Sequence, residues 1–343
     1  MARSRRKRQQ HHYVRLTDSG ASAVEIRLSR PRQQHCEQIP AEQISDVLRD
    51  PGALLWVDLR DPGDAEFKML GEEFGFHRLA LEDAAEQLQR PKVDEYPGYY
   101  FVVMYAALPE ESGELRIVEV DFFIGRNYLV MLHAGEVPAI QESIQRWERT
   151  DPSLREHVGF LVYTVMDALI DGYFPVVDEI EDRLDEFELR LFSGNQATSP
   201  EEVLGVKRSL FTLRKAVYPL REVFNTFLRR DGSPFIEETS PYFQDIYDHI
   251  LRLLDIIDIQ RDMASSALDA HLATVSNRLN ETMKRLTVMA VGVTIMGAVF
   301  GAWGMNFDRV PLSHTTYGFW LLTGGTLGLI AVMMLWSWRR GWL

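Results

Sequence analysis

L-T-V-M-A-V-G-V-T-I-M-G-A-V-F-G-A-W-G-M-N, running from Leu286 to Asn306, is the stretch on which the reading of this chain turns. It carries no charged residue from Leu286 to Gly304, and after a short polar segment a second apolar run extends from Tyr317 to Trp338. Each run is about as long as the roughly 20 residues a helix needs to cross a hydrocarbon core. An amide side chain between two such runs lies at a membrane surface, where it can offer a neutral carbonyl oxygen to an ion.

The rest of the 343 residues bounds the function. Two spans in one copy enclose nothing, so a pore requires a closed ring of several copies. The net charge of −13, from 50 Asp+Glu against 37 Lys+Arg, argues against a nucleic-acid partner. The basic N-terminus, Arg3-Ser4-Arg5-Arg6-Lys7-Arg8, is followed by no apolar stretch, so it reads as a disordered tail, plain or touching anionic lipid, rather than a secretory signal. A single cysteine, Cys36, makes no intrachain disulfide and fits a reducing cytoplasm. Lys284 and Arg285 precede the first span and Arg339 and Arg340 follow the second, whereas the connecting segment holds only Arg309. The positive-inside rule then places both termini in the cytoplasm and Asn306 outside.

Upstream, short β-rich runs at Leu54 to Leu59, Tyr99 to Ala106, Ile117 to Ile124 and Tyr128 to Leu132 predict strands of a mixed sheet. Turn residues at Pro97-Gly98, Glu111-Ser112-Gly113 and Gly125-Arg126-Asn127 punctuate them. Helices are expected near Asp64 to Gly75, Arg78 to Gln87 and Pro138 to Arg149, giving an α/β domain over 51–152, with 1–50 as a tail and the start of that domain. Beyond Pro152 the periodicity is helical, broken at Ser193-Gly194-Asn195 and at 230–234. Three helices follow: Leu154 to Phe192 and Pro200 to Arg229, a hairpin within 153–240, and Pro241 to Gly304. The last, about 95 Å long at 1.5 Å per residue, would be a stalk over 241–285 and a span over 286–304. An outer segment (305–316), a second span (317–338) and a basic tail (339–343) complete the chain.

The acidic stretch D-E-I-E-D-R-L-D-E-F-E, Asp178 to Glu188, carries Ile180, Leu184, Phe187 and Leu191 at helical spacing. It reads as a solvated face over an apolar seam, and also as a negative surface that concentrates cations. Asn280, Thr287, Thr294 and Gly301 recur every seven residues and share one stripe of the last helix. Small and polar residues on one face of a span serve tight helix packing or line a path, and a ring of helices does both. No charge sits inside either span, so a carboxylate proton relay of the kind coupled pumps use is not expected. We find no Gly-rich phosphate loop, H-E-x-x-H or nucleophile elbow, so the chain is not expected to be an enzyme and calls for no organic cofactor. His11, His12, His249 and His271 show no close ligand pairing and read as surface or core histidines.

A-W-G-M-N-F-D between the two spans, the ending W-R-R-G-W-L, and upstream S-N-R-L-N-E-T-M-K-R-L-T, Y-F-Q-D-I-Y-D-H and L-E-D followed by Q-R-P-K-V resemble the CorA family of divalent-cation channels. The likeness covers most of the chain from about Leu54. It implies an α+β membrane protein assembled as a funnel-shaped homopentamer in the inner (plasma) membrane. Such a channel passes hydrated Mg²⁺, and also Co²⁺ or Ni²⁺, into the cytoplasm down the electrochemical gradient. The resemblance gives Gly304, Met305 and Asn306 the role of selectivity filter. It puts Asn280 on the pore axis as a second polar ring, and Met283 and Leu286 at an apolar gate beside Thr287, Thr294 and Gly301. A ring of neutral carbonyls suits an ion that keeps its first water shell, and an apolar neck gates by dewetting.

By the same resemblance Glu82, Asp83, Asp167 and Asp245 are acidic positions at cytosolic subunit interfaces, where bound Mg²⁺ favours the closed ring. Two departures stand out: Trp303 replaces a common tyrosine, and Leu312 with Arg309 leaves the outer loop less negative. A Zn²⁺ transporter of the related ZntB group and a non-conducting membrane-tethered coiled-coil scaffold or sensor are the competing readings, the intact G-M-N-F favouring the CorA side.

Overall fold

The computed structural model describes residues 13–14, 22–30, 36–87, 89–109, 115–193, 199–229, 239–305 and 315–342, and the chain divides into two compact units, 1–267 and 268–343. The basic run 3–8, His11 and His12, the turn 111–113, Gly194 and Asn195, the break 230–234 and the outer segment 306–312 with Asn306 lie outside the described residues.

In the first unit, β1 (Tyr13–Val14), β2 (Ala23–Ser29), β3 (Glu37–Gln38), β4 (Leu54–Arg60), β5 (Lys92–Tyr96), β6 (Tyr99–Pro109), β7 (Leu115–Ile124) and β8 (Tyr128–His133) form one mixed sheet. Its order is β3-β2-β4-β8-β7-β6-β5, with β1 parallel to β7. β4 and β8 run parallel, Leu55 opposite Tyr128 through Arg60 opposite His133, while β6 and β7 pair antiparallel from Tyr100 opposite Ile124 to Pro109 opposite Leu115. Pro97 and Gly98 alone separate β5 from β6, and Gly98 takes a φ of 92°, a region that a side chain would make costly.

Because both faces are covered, the central strands read as unbroken apolar runs rather than alternating ones. One face packs Leu55, Val57, Phe101, Val103, Phe123 and Val130 against α2 (Asp64–Glu73) and α3 (Arg78–Glu86) through Leu70, Ala80 and Ala84, with α1 (Ile44–Leu48) adding Ile44 and Val47. On the other face Trp56 meets Trp147 of α4 (Pro138–Glu148) edge-on, ring centroids 5.4 Å apart. A short α5 (Pro152–Arg155) then leads into α6 (Val158–Asp171) and α7 (Tyr173–Phe192), and the Tyr173 hydroxyl donates to the Tyr105 carbonyl at 2.7 Å.

The single helix expected over 154–192 is therefore divided, and proline explains where. Pro175 has no N–H to give the carbonyl of Asp171, and the helix is interrupted at Gly172. Pro219 likewise separates α8 (Pro200–Val217) from α9 (Leu220–Arg229). Ile180, Leu184, Phe187 and Leu191 are buried on α7 while Asp178, Glu179, Glu181, Asp182, Asp185 and Glu186 are exposed, the seam and solvated face that the spacing predicts. The sheet also takes in β2 and β5, which the strand reading passed over.

Helix α10 (Ser240–Trp303) is continuous over 64 residues, beginning in the first unit and ending in the second, where α11 (Gly318–Arg339) follows. Among the described residues, three helical stretches are long and apolar enough to cross a membrane, and burial tells them apart. The apolar window of Val158–Phe192 is 78% buried inside the first unit, whereas those of α10 and α11 are 11% and 17% buried. Val158–Phe192 is thus a core element, and the other two still need an apolar surround. Tyr317 and Trp320 at one end of α11 and Trp338 at the other stand exposed, as side chains with an apolar body and a polar tip do at membrane interfaces.

Candidate ion path and regulatory cluster

In the second unit Val288 of α10 is buried, and α10 approaches α11 at Gly292, where an added Cβ would lie 3.7 Å from Ile330 and 3.8 Å from Met333. Asn280, Thr287, Thr294 and Gly301 are all exposed on another face, turned roughly 120° from that contact at 100° per residue. Met283 and Leu286 are exposed as well, at 64% and 60%, far more than apolar side chains of a finished surface. Asn280, Met283 and Thr287 share an open groove of about 520 Å³ with Asn277, Lys284 and Trp342.

The two threonines have a specific chemistry. Thr287 Oγ1 donates to the Met283 carbonyl and Thr294 Oγ1 to the Ala290 carbonyl, each at 2.8 Å. With their protons committed to the helix backbone, both hydroxyls present lone pairs outward and act as acceptors. That suits the water protons of a hydrated cation.

At the helix end, Gly304 N donates to the Phe300 carbonyl at 2.9 Å, and a Cβ on Gly304 would sit 3.2 Å from that same oxygen. Glycine allows this close approach without displacing backbone. Met305 is 54% exposed, and Asn306 itself lies beyond the described residues.

The four predicted regulatory acids fall into different surroundings. Asp167 is buried on α6, its Oδ2 held by Arg146 Nη1 at 2.6 Å while Oδ1 has no hydrogen-bond partner among the described residues. Asp171, one turn later, and His249 of α10 bring ligand atoms within 4.8 Å of one another and of Asp167, a group able to hold a metal ion. His249 Nδ1 is 3.5 Å from Asp171 Oδ1. Burial, then the charge of Asp167, pushes the Asp171 carboxyl above its ordinary range. His249 therefore does not stand apart as a surface or core histidine. The signal was present in the four-residue spacing of Asp167 with Asp171 and of Asp245 with His249, which puts each pair on one helix face.

Glu82 and Asp245 are exposed. Asp83 is engaged by Lys92, Nζ to Oδ2 at 2.6 Å. Among the described residues, none of Glu82, Asp83 and Asp245 joins a ligand-distance group of three within one chain. Asp121 is fully buried, and among the described residues neither of its carboxyl oxygens has a hydrogen-bond partner. Burial above all, then the neighbouring Glu119, drives its carboxyl well above the usual range, with Lys92 pulling the other way.

Comparison with known proteins gives this geometry a family. A family model described as CorA-like Mg²⁺ transporter protein matches residues 51–339. The cobalt/magnesium transport protein CorA of Thermotoga maritima is 32% identical over 84% of this chain and 82% of its own length. The CorA of Methanocaldococcus jannaschii is 27% identical over 88% of this chain and 95% of its own. The complete structure of the latter superposes with a TM-score of 0.78 at 23% identity, covering 93% of this chain and 98% of that one, and so shares the fold. Members of this family are transporters and not enzymes, in keeping with the missing catalytic motifs. The chain belongs to the CorA-like Mg²⁺ transporter family.

Proposed function

We propose that this protein carries Mg²⁺, and with it Co²⁺ and Ni²⁺, into the cytoplasm through a ring of five copies in the inner membrane, with both termini cytoplasmic. The observation that carries the reading is the exposed stripe Asn280, Thr287, Thr294 and Gly301 on a helix whose opposite contacts are made with its own second span. Those residues are acceptors or gaps rather than charges, and they suit an ion that travels with its water shell. Met283, a turn away from both Asn280 and Thr287, and Leu286, next to Thr287 in sequence, supply the apolar neck that closes by dewetting. Asn306 forms the outer ring of amide carbonyls, with Gly304 and Met305 shaping the segment that presents it.

The driving force is the membrane potential, worth roughly 4.6 kcal/mol per 100 mV for a divalent ion entering an inside-negative compartment. Closure comes from cytoplasmic Mg²⁺ held between copies by Glu82, Asp83, Asp167 and Asp245. Asp171 and His249 complete the donor group around Asp167. Unoccupied carboxylates of adjoining copies repel one another, and a bound cation reverses this.

Competition flux into proteoliposomes with Mg²⁺, Co²⁺, Ni²⁺ and Zn²⁺ tests the cargo. Mg²⁺ uptake blocked by excess Co²⁺ supports the proposal; Zn²⁺ uptake indifferent to Mg²⁺ makes it a zinc transporter, and no flux of any ion makes it a tethered scaffold.

A further inference from the structure

Lys92 opens β5, the edge strand of the sheet, and its ammonium is shared between two carboxylates. Nζ lies 2.6 Å from Asp83 Oδ2 and 2.7 Å from Asp94 Oδ2, and 5.4 Å from the centroid of the Phe101 ring. The side chains of Lys92 and Asp83 are 29% and 33% exposed, so water and small ions reach the pair. Burial alone would pull the ammonium down, but the hydrogen bonds to Asp83 and Asp94 outweigh it and hold it above the ordinary lysine range.

We propose that Lys92 is a tethered competitor of Mg²⁺ at Asp83: its ammonium occupies the carboxylate oxygen that the ion needs and withdraws onto Asp94 when the ion binds. The inference rests on Asp83 being a ligand of the regulatory ion. Its chemistry follows from the two cations themselves. An ammonium is a compact point charge on a flexible stem, able to trade one carboxylate for another without the fixed fork of a guanidinium. Asp94 gives it a second seat, so displacement by Mg²⁺ strands no charge in this half-buried position. The apparent affinity of Asp83 for Mg²⁺ is lowered by the fraction of time that Lys92 holds it. The closing threshold is set higher than the carboxylates alone would set it.

The test uses full-length protein in liposomes and reads the Mg²⁺ concentration at half-maximal closure. Lys92→Gln should lower that concentration by about two- to fivefold, the range that a partly exposed ion pair supports. Lys92→Arg, which keeps the charge, should stay near the parent value. A midpoint that is unmoved or raised by Lys92→Gln, in a protein where Asp83→Asn does alter closure, overturns the competitor role, the raised case marking Lys92 as a support for Asp83. If Asp83→Asn leaves closure as it was, the sensor reading of Asp83 fails and this inference goes with it. Should Lys92→Gln not assemble, Lys92→Met keeps the stem over Phe101 and is read in the same way.

Discussion

Arg146 Nη1 and Asp167 Oδ2 are 2.6 Å apart, so the carboxylate at the centre of the Asp167, Asp171 and His249 group already has a resident cation. The arginine also reaches Tyr163, donating from Nη2 to its hydroxyl at 3.3 Å. Asp167 is only 4% exposed in its side chain, whereas Arg146 is 45% exposed. The asymmetry determines what each substitution does.

Arg146→Gln leaves a charged carboxylate buried without its partner, and should cost about 1–3 kcal/mol of stability. Asp167→Asn removes the buried charge and leaves the arginine free to turn to solvent, so it should cost less. Thermal unfolding of the two variants checks the order; equal losses would mean that the pair contributes nothing beyond packing.

Asn306→Ala should abolish Mg²⁺ uptake while the assembled ring remains, because the amide is the one neutral acceptor of its kind between the two spans. Flux assays paired with native mass spectrometry of the detergent-solubilised protein read both halves. Uptake at the parent rate would remove Asn306 from the filter.

Neutralising Asp83 and Asp245 together to Asn should yield flux that no longer falls as cytoplasmic Mg²⁺ rises. The double variant removes both carboxylates that the proposal places between copies, so its effect should exceed the shift expected of Asp83→Asn alone. Closure at the parent concentration would place the sensor elsewhere, with Asp167, Asp171 and His249 the next group to change.

Asp121 carries a pH dependence of definite sign. Its carboxyl titrates far above the usual range in the folded protein, chiefly through burial, so the folded state holds a proton that the unfolded chain releases. Below the unfolded value of roughly 3.9 the two states are alike; as pH rises from there towards the folded value, stability is lost. Asp121→Asn has no proton to release. The difference in unfolding temperature between variant and parent should therefore grow in the variant's favour from pH 5 to pH 8, and a constant difference would refute the assignment.

Much of this was legible in the chain, for reasons that differ from element to element. The strands from Leu54 to His133 were readable because both sheet faces are buried and leave continuous apolar runs. β2 was missed although Val24, Ile26 and Leu28 alternate with Glu25 and Arg27, since it follows a basic stretch that drew the whole N-terminus into one reading. β5, K-V-D-E-Y, is an edge strand whose polar composition hides it. Pro175 and Pro219 announced the helix breaks and were outweighed by the long periodicity around them. The stripe on α10 followed from its seven-residue repeat. The meeting of His249 with Asp171 did not, because it joins helices nearly eighty residues apart and depends on how they pack.

The aromatic residues at the two ends of α11 have a consequence for the lipid. Tyr317 and Trp338 are separated by about 32 Å along a straight helix at 1.5 Å per residue, close to the roughly 30 Å of a typical hydrocarbon core. Rings that favour the headgroup level at both ends make this helix a gauge of bilayer thickness. In a thinner membrane tilting is one way to keep both ends seated, and α10, which approaches it at Gly292 and Ile330, would tilt with it. The acyl-chain length of the surrounding lipid thus bears on the angle that α11 takes across the membrane.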